Sequence, residues 1–284
     1  MKRLSSCPPR STLHPPRSSL HEMPFHQHGA IRYYTFESLD LPGVVHGVFT
    51  RHGGVSAPPW DSLNMGGYLG DPLENTYRNR VLAFRALGRD PESVFDVWQV
   101  HSADVICSDS PRPRGAEHQK ADAILTDNPA ITLFMRFADC VPILLYDPVR
   151  RVIGLVHAGW QGTVKGAVSA ALERMAAVYG SSPADVRAGI GPSIAAHHYE
   201  VGPEVVQRVR ESFGADADVL LPTFNGSTHF DLWAANRILL EQAGVRQIEI
   251  SGLCTACHTE DWYSHRAERG RTGRFGALIA LESG

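Results

Sequence analysis

The amino-acid sequence predicts a single mixed α/β domain, and three observations lead to this fold class. The chain has 284 residues, of which 43% are hydrophobic and 20% charged, as in globular proteins with a large buried core. Short apolar runs typical of strands alternate with segments of helical periodicity, without a strict repeat. No Gly/Ser-rich or charged linker divides the body, so we expect residues 31–284 to form one domain.

The predicted elements follow one another along the body of the chain. A β-branched run starts at Val44 and ends at Arg51, before a Gly-Gly turn. Apolar residues at helical spacing, followed by glycine stops, predict helices. The helices are expected over residues 74–87, 163–179 and 232–243, and further strands over residues 94–100, 131–137, 141–147, 153–156 and 275–281.

The segment before this body is rich in Pro, Ser, Arg and His. It lacks the apolar stretch of a secretory signal, so we expect residues 1–30 to be a disordered tail. No apolar run reaches the roughly 18 residues that a membrane span requires.

Charge and cysteine content narrow the class of protein. The net charge is −3 and the Lys and Arg residues are scattered, which predicts neither nucleic-acid nor membrane-surface binding. The chain has five cysteines, an odd number, and no recognisable export signal. This pattern favours a reducing compartment, and we expect a cytoplasmic protein.

Three residues with metal-binding side chains each follow a predicted strand: His101, Cys140 and His157. They are separated by 39 and 17 residues, too far for a local zinc knuckle but suitable for ligands that converge from separate strands. Two histidines and one cysteine leave one position of a tetrahedral zinc open, as in catalytic sites. A small buried cysteine and hydrogen-bonded histidines are the plainer alternative.

Other residues are expected to complete the site. Asp139, next to the cysteine, is a candidate for orienting a ligand or accepting a proton, although turn capping would also explain it. The turn that contains Gly159 and Gln161 leads from a strand into a helix, a geometry that favours anions such as phosphate. Together with Arg51, these two residues are assigned to substrate binding.

Several motifs occur in the same order as in one known family. They are TRHGGVS, WQVHSADV, ADAILTD, FADCVPILLYDP, HAGWQGTVKG, GIGPSI and CTACHTEDWYSHR. Over residues 44–281 the sequence resembles the laccase-domain family, once named polyphenol oxidases and now associated with purine nucleoside phosphorylase activity. The resemblance implies an α/β/β/α layered sandwich with mixed sheets, and one catalytic domain.

The resemblance also implies an activity. It is the zinc-dependent phosphorolysis of adenosine and inosine to free base and ribose 1-phosphate, with methylthioadenosine phosphorolysis and adenosine deamination as related reactions. On this basis His101, Cys140 and His157 match the metal ligands, with copper as a second possible metal, and Arg51 contacts phosphate or substrate. The chain departs from the family pattern at Gln161, where arginine is usual, and at Ser193, where cysteine is usual. The chain is expected to be a monomer or a homodimer.

Other functions fit parts of the sequence. Cys140 could be the nucleophile of a hydrolase, with His157 or His101 as base. The chain could also be a copper-binding polyphenol oxidase, or a metal-binding module without catalytic activity. The CTACH motif of Cys254, Cys257 and His258 matches the haem c attachment pattern and is also a possible metal half-site. Without an export signal, its two cysteines are interpreted as a buried or idle pair. The adjacent His197 and His198 are interpreted as surface or hydrogen-bonding residues.

Overall fold

The computed structural model describes residues 24–67 and 70–282. Within these ranges the strands are, in chain order, β1 Phe25–His28, β2 Ile31–Tyr34, β3 Val44–Phe49, β4 Val94–Phe95, β5 Val105–Cys107, β6 Ala123–Thr126, β7 Thr132–Phe137, β8 Val141–Asp147, β9 Val152–Ala158, β10 Arg187–Ile190, β11 Thr223–Phe224, β12 Ser227–Thr228, β13 Gln247–Ile250 and β14 Phe275–Leu281. The α-helices are α1 Leu73–Ala86, α2 Trp160–Val164, α3 Ala167–Tyr179, α4 Pro203–Phe213, α5 Ala217–Leu220 and α6 Leu232–Gln242.

Most of these strands form two six-stranded mixed sheets. The first has the strand order β1-β2-β3-β14-β7-β4 and the second β13-β10-β8-β9-β6-β5. Neighbours in the centre of both sheets are antiparallel, whereas β4 with β7, β5 with β6 and β10 with β13 are parallel pairs. The C-terminal strand therefore completes the first sheet by inserting between β3 and β7.

The two sheets pack against each other and helices cover their outer faces. A cluster that includes Phe137, Leu155 and Phe275 fills the space between the sheets. Phe84 of α1 packs on Phe134 outside the first sheet, and α3 and α6 pack on the second sheet. Strands β8, β9 and β14 are apolar along most of their length because both faces of each sheet are covered. The predicted α/β/β/α layered fold is confirmed.

Element positions agree well for long apolar segments and less well elsewhere. The strands β3, β8 and β14 begin where the apolar runs begin. Both ends of α1 and the C-terminal end of α6 differ by one residue from the prediction. The helix predicted over residues 163–179 is instead two helices. Gly166 has a φ of +75°, which ends α2 and starts α3 in a new direction.

Two further predictions need correction. The strand predicted over residues 94–100 is limited to Val94–Phe95, and the ladder ends at Asp96, whose buried carboxylate contacts the half-buried Arg112 and His118. The disordered tail predicted over residues 1–30 extends too far along the chain. Phe25–His28 is a strand that pairs with Ile31–Tyr34, and Phe25 packs edge-on against Tyr34. The rest of that predicted tail, residues 1–23, lies outside the described residues. None of the described helices combines the length and the apolar composition needed to cross a bilayer.

Candidate metal centre

The side chains of His101, Cys140 and His157 meet at one end of the second sheet. Their candidate ligand atoms all lie within 4.8 Å of one another. The Sγ of Cys140 is 3.9 Å from the Nε2 of His101, and the two imidazole rings are 4.9 Å apart between centroids. His157 is buried whereas His101 is exposed, so the cluster is open to solvent on one side.

The sheet register explains part of this convergence. Strands β8 and β9 are antiparallel, with Val141 opposite Ala158 and Pro142 opposite His157. Cys140 immediately precedes β8, so it lies at the same end of the pair as His157. The third residue, His101, comes from the loop between β4 and β5, where its φ of +59° directs the chain back towards the sheet.

Asp122 holds the ring of His157. One carboxylate oxygen lies 2.7 Å from the Nδ1 of His157, and the other accepts the backbone N–H groups of Val100 and Ser102 at 3.1 and 2.6 Å. Burial opposes the ionisation of this carboxyl group, but the hydrogen bond and positive charge of His157 outweigh it and lower the Asp122 pKa to about 2. With Nδ1 bound to Asp122, the Nε2 of His157 is the nitrogen that can bind a metal.

The electrostatics of the cluster favour a thiolate. Burial alone would raise the pKa of Cys140, but the charges and hydrogen bonds of His157 and His101 lower it below the ordinary thiol value. In the same way, burial opposes protonation of His157, while Cys140 and Asp122 raise its pKa. The cluster thus pairs the imidazolium of His157 with the thiolate of Cys140. A metal cation bound by both side chains would take the place of the proton on His157.

Gly159 closes one side of the cluster. A Cβ at this position would lie 2.9 Å from the Sγ of Cys140 and 2.9 Å from the Cδ2 of His101, closer than real Cβ contacts. Its φ is −70°, so space and not backbone conformation requires glycine here. The neighbouring Gln161 is half-buried in the first turn of α2, which is only five residues long and is a weaker source of dipole than the helix predicted there.

Asp139 is buried beside Cys140, with both carboxylate oxygens in use. One accepts the hydroxyl of Thr255 at 2.7 Å and the other the backbone N–H of Arg266 at 2.6 Å. Its own φ is +81°, a strained value for a residue other than glycine. The contacts indicate that Asp139 fixes two later loops against the strand that begins after Cys140.

Arg51 lies in an adjacent network. Its guanidinium donates to the carbonyl oxygen of Thr259 at 2.7 Å and to Glu268 at 3.1 Å, and it stacks over the ring of Tyr263. The other oxygen of Glu268 accepts the backbone N–H of Ser264, two residues before Arg266. Arg51 therefore supports the loop that holds Asp139, and its contact with a substrate stays a prediction.

The three residues fit a metal ion by their donor chemistry. Two imidazoles and one thiolate are the Cys/His₂ type of donor set that binds zinc, and the soft sulfur also suits copper. The acidic partner of His157 is a supporting feature that such a site needs, and the lack of a side chain at Gly159 lets Cys140 and His101 approach the backbone there. Among the described residues this is one of two groups of three or more ligand-type side chains that could hold a metal.

The second group joins the two cysteines of the CTACH motif to two histidines that the sequence does not connect with them. They are His197, His198, Cys254 and Cys257, and their candidate ligand atoms also lie within 4.8 Å of one another. Cys254 is buried and the other three are half-buried, so this group does not lie on the open surface. His197 and His198 were predicted to be surface or hydrogen-bonding residues, and the structure agrees with the second alternative, since both rings contact cysteine sulfurs.

Sequence reasoning did not single out Asp122, Thr255 or Arg266. Asp122 was present in the ADAILTD motif, but an acidic residue before a strand gives no sign of which histidine it will face. Thr255 and Arg266 reach Asp139 across 116 and 127 residues. Such contacts depend on the order of strands in the sheet, which local patterns do not reveal.

Comparison with known proteins identifies the family of the chain. The family model described as multi-copper polyphenol oxidoreductase laccase matches residues 45–282. A purine nucleoside phosphorylase of Deinococcus radiodurans is 39% identical over 84% of this chain and 89% of its own length. The purine nucleoside phosphorylase YlmD of Bacillus subtilis is 35% identical over the same shares of the two chains.

Solved structures give the same result. The crystal structure of YlmD from Geobacillus stearothermophilus superposes with a TM-score of 0.85 and 32% identity, covering 92% of this chain and 99% of that chain. The crystal structure of the hypothetical protein YfiH from Bacillus licheniformis has a TM-score of 0.84 and 35% identity, covering 91% and 99%. Sequence and fold thus agree over nearly the whole body, and the chain belongs to the multi-copper polyphenol oxidoreductase laccase family, the laccase-domain family that its motifs resemble.

Proposed function

We propose that this chain is a zinc-dependent purine nucleoside phosphorylase that cleaves adenosine and inosine with phosphate to free base and ribose 1-phosphate. Methylthioadenosine phosphorolysis and adenosine deamination are proposed as further reactions of the same site. The observation that carries the proposal is the convergence of His101, Cys140 and His157 on one solvent-accessible point. The names of the relatives provide the substrate class.

His101 Nε2, Cys140 Sγ and His157 Nε2 would hold the zinc ion, with Asp122 fixing the ring of His157. A zinc ion held there would supply Lewis-acid chemistry to the reaction. Asp122 then acts as a positioning residue, since it touches His157 and not the reacting atoms. Gly159 keeps the approach to the cluster free of side-chain atoms.

The surroundings suit an anionic co-substrate. Lys165 donates to the carbonyl oxygen of His101 at 2.8 Å, and the charge of the half-buried Arg274 interacts with Cys140 and Asp139. Phosphorolysis requires a cationic environment for phosphate and for the negative charge that develops on the leaving base. Lys165 and Arg274 would supply this cationic environment, so the proposal does not need a long helix after Gly159 to attract phosphate. Arg51, Gly159 and Gln161 remain the proposed substrate-binding residues on the adjacent side.

A second candidate rests on the lowered pKa of Cys140. A thiolate paired with His157 or His101 is the arrangement of a cysteine hydrolase, in which the sulfur attacks substrate and the imidazole transfers the proton. A thiolate that binds zinc is not available as such a nucleophile. Metal content therefore separates the two candidates. Copper-dependent phenol oxidation and metal binding without catalysis are the remaining alternatives, and the same samples test both.

The test combines product analysis with metal analysis. Purified protein is incubated with adenosine, with and without phosphate, and the products are separated by chromatography while zinc and copper are measured by mass spectrometry. Adenine and ribose 1-phosphate formed only with phosphate, together with one zinc lost in Cys140→Ala, are the expected results. Cys107→Ala is the matched control, because Cys107 is also a half-buried free cysteine but lies in β5 outside the cluster.

Several results would contradict the proposal. Hydrolysis that persists without zinc and stops on thiol alkylation would favour the cysteine nucleophile. Copper in place of zinc, with oxidation of a phenol and no phosphorolysis, would favour a polyphenol oxidase. Zinc without turnover of any of the nucleosides would favour a metal-binding module.

A further inference from the structure

The four residues His197, His198, Cys254 and Cys257 are brought together by two separate segments. The histidines lie in the short 3-10 helix Ala196–His198, and the cysteines belong to the CTACH motif after β13. The Nε2 of His197 is 3.1 Å from the Sγ of Cys257, and the Nδ1 of His198 is 3.6 Å from the sulfur of each cysteine. Four donors from two segments thus face one point.

These distances are close to those of a tetrahedral zinc site. With Zn–S and Zn–N bonds of about 2.3 and 2.05 Å, tetrahedral angles place each nitrogen about 3.6 Å from each sulfur. Of the four nitrogen–sulfur pairs, two are separated by this distance, that of His197 and Cys257 is shorter, and all four candidate ligand atoms lie within 4.8 Å of one another. The atoms are therefore close enough together to bind one ion.

The surroundings hold the ligands in this arrangement. The backbone N–H of Ala195 points at the Sγ of Cys254 at 3.4 Å, a contact that stabilises a thiolate. The Nδ1 of His229 lies 2.7 Å from the carbonyl oxygen of Ala196 and fixes the 3-10 helix. Ser193 and Cys254 form a parallel bridge between the two segments. Supporting contacts of this kind are typical of metal sites.

We propose that His197, His198, Cys254 and Cys257 form a second, structural zinc site when Cys257 is reduced, Cys254 being a free cysteine already. A Cys₂His₂ set fills all four positions of a tetrahedral zinc, so this site has no open position for a substrate. It differs in this respect from the cluster of His101, Cys140 and His157, which offers three ligands. None of the four residues belongs to the site proposed for phosphorolysis.

Reduction is a condition of the proposal, because Cys257 is disulfide-bonded in the structure. A cellular dithiol reductant gives up two electrons and two protons and becomes a disulfide. Cys257 and the sulfur bonded to it each take up one electron and one proton and become thiols. Zinc then binds the sulfurs of Cys254 and Cys257 and displaces their two protons. The site is thus expected to exist only under reducing conditions.

Both segments of the proposed zinc site contact Asp139, the residue next to Cys140. The backbone N–H of Ile194, in the histidine segment, donates to the carbonyl oxygen of Asp139, and Thr255, in the cysteine segment, donates to its carboxylate. An ion that links the two segments would therefore fix both contacts to the residue that precedes Cys140. The second zinc is a positioning element for the first centre.

The experiment counts zinc in the full-length chain after reduction with a phosphine, which is itself oxidised to its phosphine oxide. Mass spectrometry is expected to find one zinc in Cys140→Ala, where the first cluster is disabled, and none when Cys254→Ala is added. His258→Ala in the Cys140→Ala background is the matched control: His258 also belongs to the CTACH motif, but its side chain contacts Glu260. This variant is expected to keep its zinc.

The proposal fails if reduced Cys140→Ala holds no zinc, or if it holds the same amount before reduction. It also fails if the zinc of that variant survives the addition of Cys254→Ala. If Cys254→Ala does not fold, His197→Ala replaces it, because His197 is only half-buried; at least a ten-fold loss of zinc affinity is then expected, and unchanged affinity would contradict the proposal. Failure of phosphorolysis leaves these counts unaffected, so the two proposals are tested separately.

Discussion

The Nδ1 of His157 lies 2.7 Å from a carboxylate oxygen of Asp122, and this contact determines which nitrogen of His157 faces Cys140. The same carboxylate accepts backbone N–H groups from the loop that carries His101. One buried residue therefore orients one candidate ligand and anchors the loop of another. Replacing it tests whether the cluster binds a metal.

Asp122→Asn is expected to lower zinc affinity and phosphorolysis by about 10- to 100-fold, as loss of a carboxylate partner does in other metal sites. The amide has no charge to stabilise the N–H of His157 and can present its own N–H group to Nδ1 instead. Zinc affinity is measured by competition with a chromogenic chelator. Asp104→Asn is the matched control, since Asp104 is exposed on the same loop. Equal zinc affinity in the two variants would rule out this role for Asp122.

Gly159→Ala tests the space beside the cluster. The added methyl group would lie 2.9 Å from Cys140 Sγ and from His101 Cδ2, so the ligands must move apart, and overpacking of this kind costs about 1–3 kcal/mol. At least a ten-fold loss of activity is expected, with the fold retained by circular dichroism. Gly202→Ala is the control, because a Cβ there meets nothing within 4 Å and its φ is −83°. Full activity of Gly159→Ala would show that the ligands do not need their present spacing.

The sequence indicated the convergence of His101, Cys140 and His157 better than it indicated the contacts around them. Long apolar runs such as Phe275–Leu281 determine buried strands almost alone, and a cysteine and histidine at the ends of two adjacent strands converge once those strands pair. The bend at Gly166 and the bridge from Thr255 to Asp139 could not be predicted in this way. They depend on a left-handed backbone and on contacts distant in sequence, which periodicity does not encode.

His46 makes stability depend on pH. Its Nε2 accepts the backbone N–H of Phe36 at 2.8 Å, so this nitrogen carries no proton. Burial lowers the pKa of His46 from 6.5 to about 3. Because the unfolded chain binds a proton that the folded chain does not, stability is lost as the pH falls below 6.5. Between pH 7 and 5.5 this single group is expected to remove about 1 kcal/mol.

Urea unfolding at the two pH values measures this loss. His46→Gln removes the titrating ring, so the variant is expected to lose about 1 kcal/mol less than the parent chain over the same range. His28→Gln serves as the control, since His28 is exposed, and should keep the pH dependence of the parent chain. The assignment is wrong if His46→Gln keeps it as well.

Asp96 is a buried carboxylate surrounded by three half-buried arginines and one half-buried histidine, and its removal is expected to destabilise the fold. The carboxylate is 1% exposed and lies 2.7 Å from the Nε of Arg112 and 3.1 Å from His118, with Arg80 and Arg136 at 3.7 and 3.9 Å. Burial opposes its ionisation, but the hydrogen bond of His118 and the guanidinium charges lower the pKa of Asp96 below its usual range.

Asp96→Ala leaves these cations without their shared counter-charge, which is expected to cost about 3–5 kcal/mol in the free energy of unfolding. Asp96→Asn keeps the side-chain volume and loses only the charge, so a comparable loss in both variants would assign the effect to electrostatics. A small loss in Asp96→Asn would instead assign it to packing. The exposed Asp109→Ala is the control and is expected to change stability by less than about 0.5 kcal/mol. The network around Asp96 also fixes the start of the segment that leads to His101. The Asp96 variants are nevertheless expected to bind zinc at temperatures where they are still folded, and to unfold at a lower temperature than the parent chain.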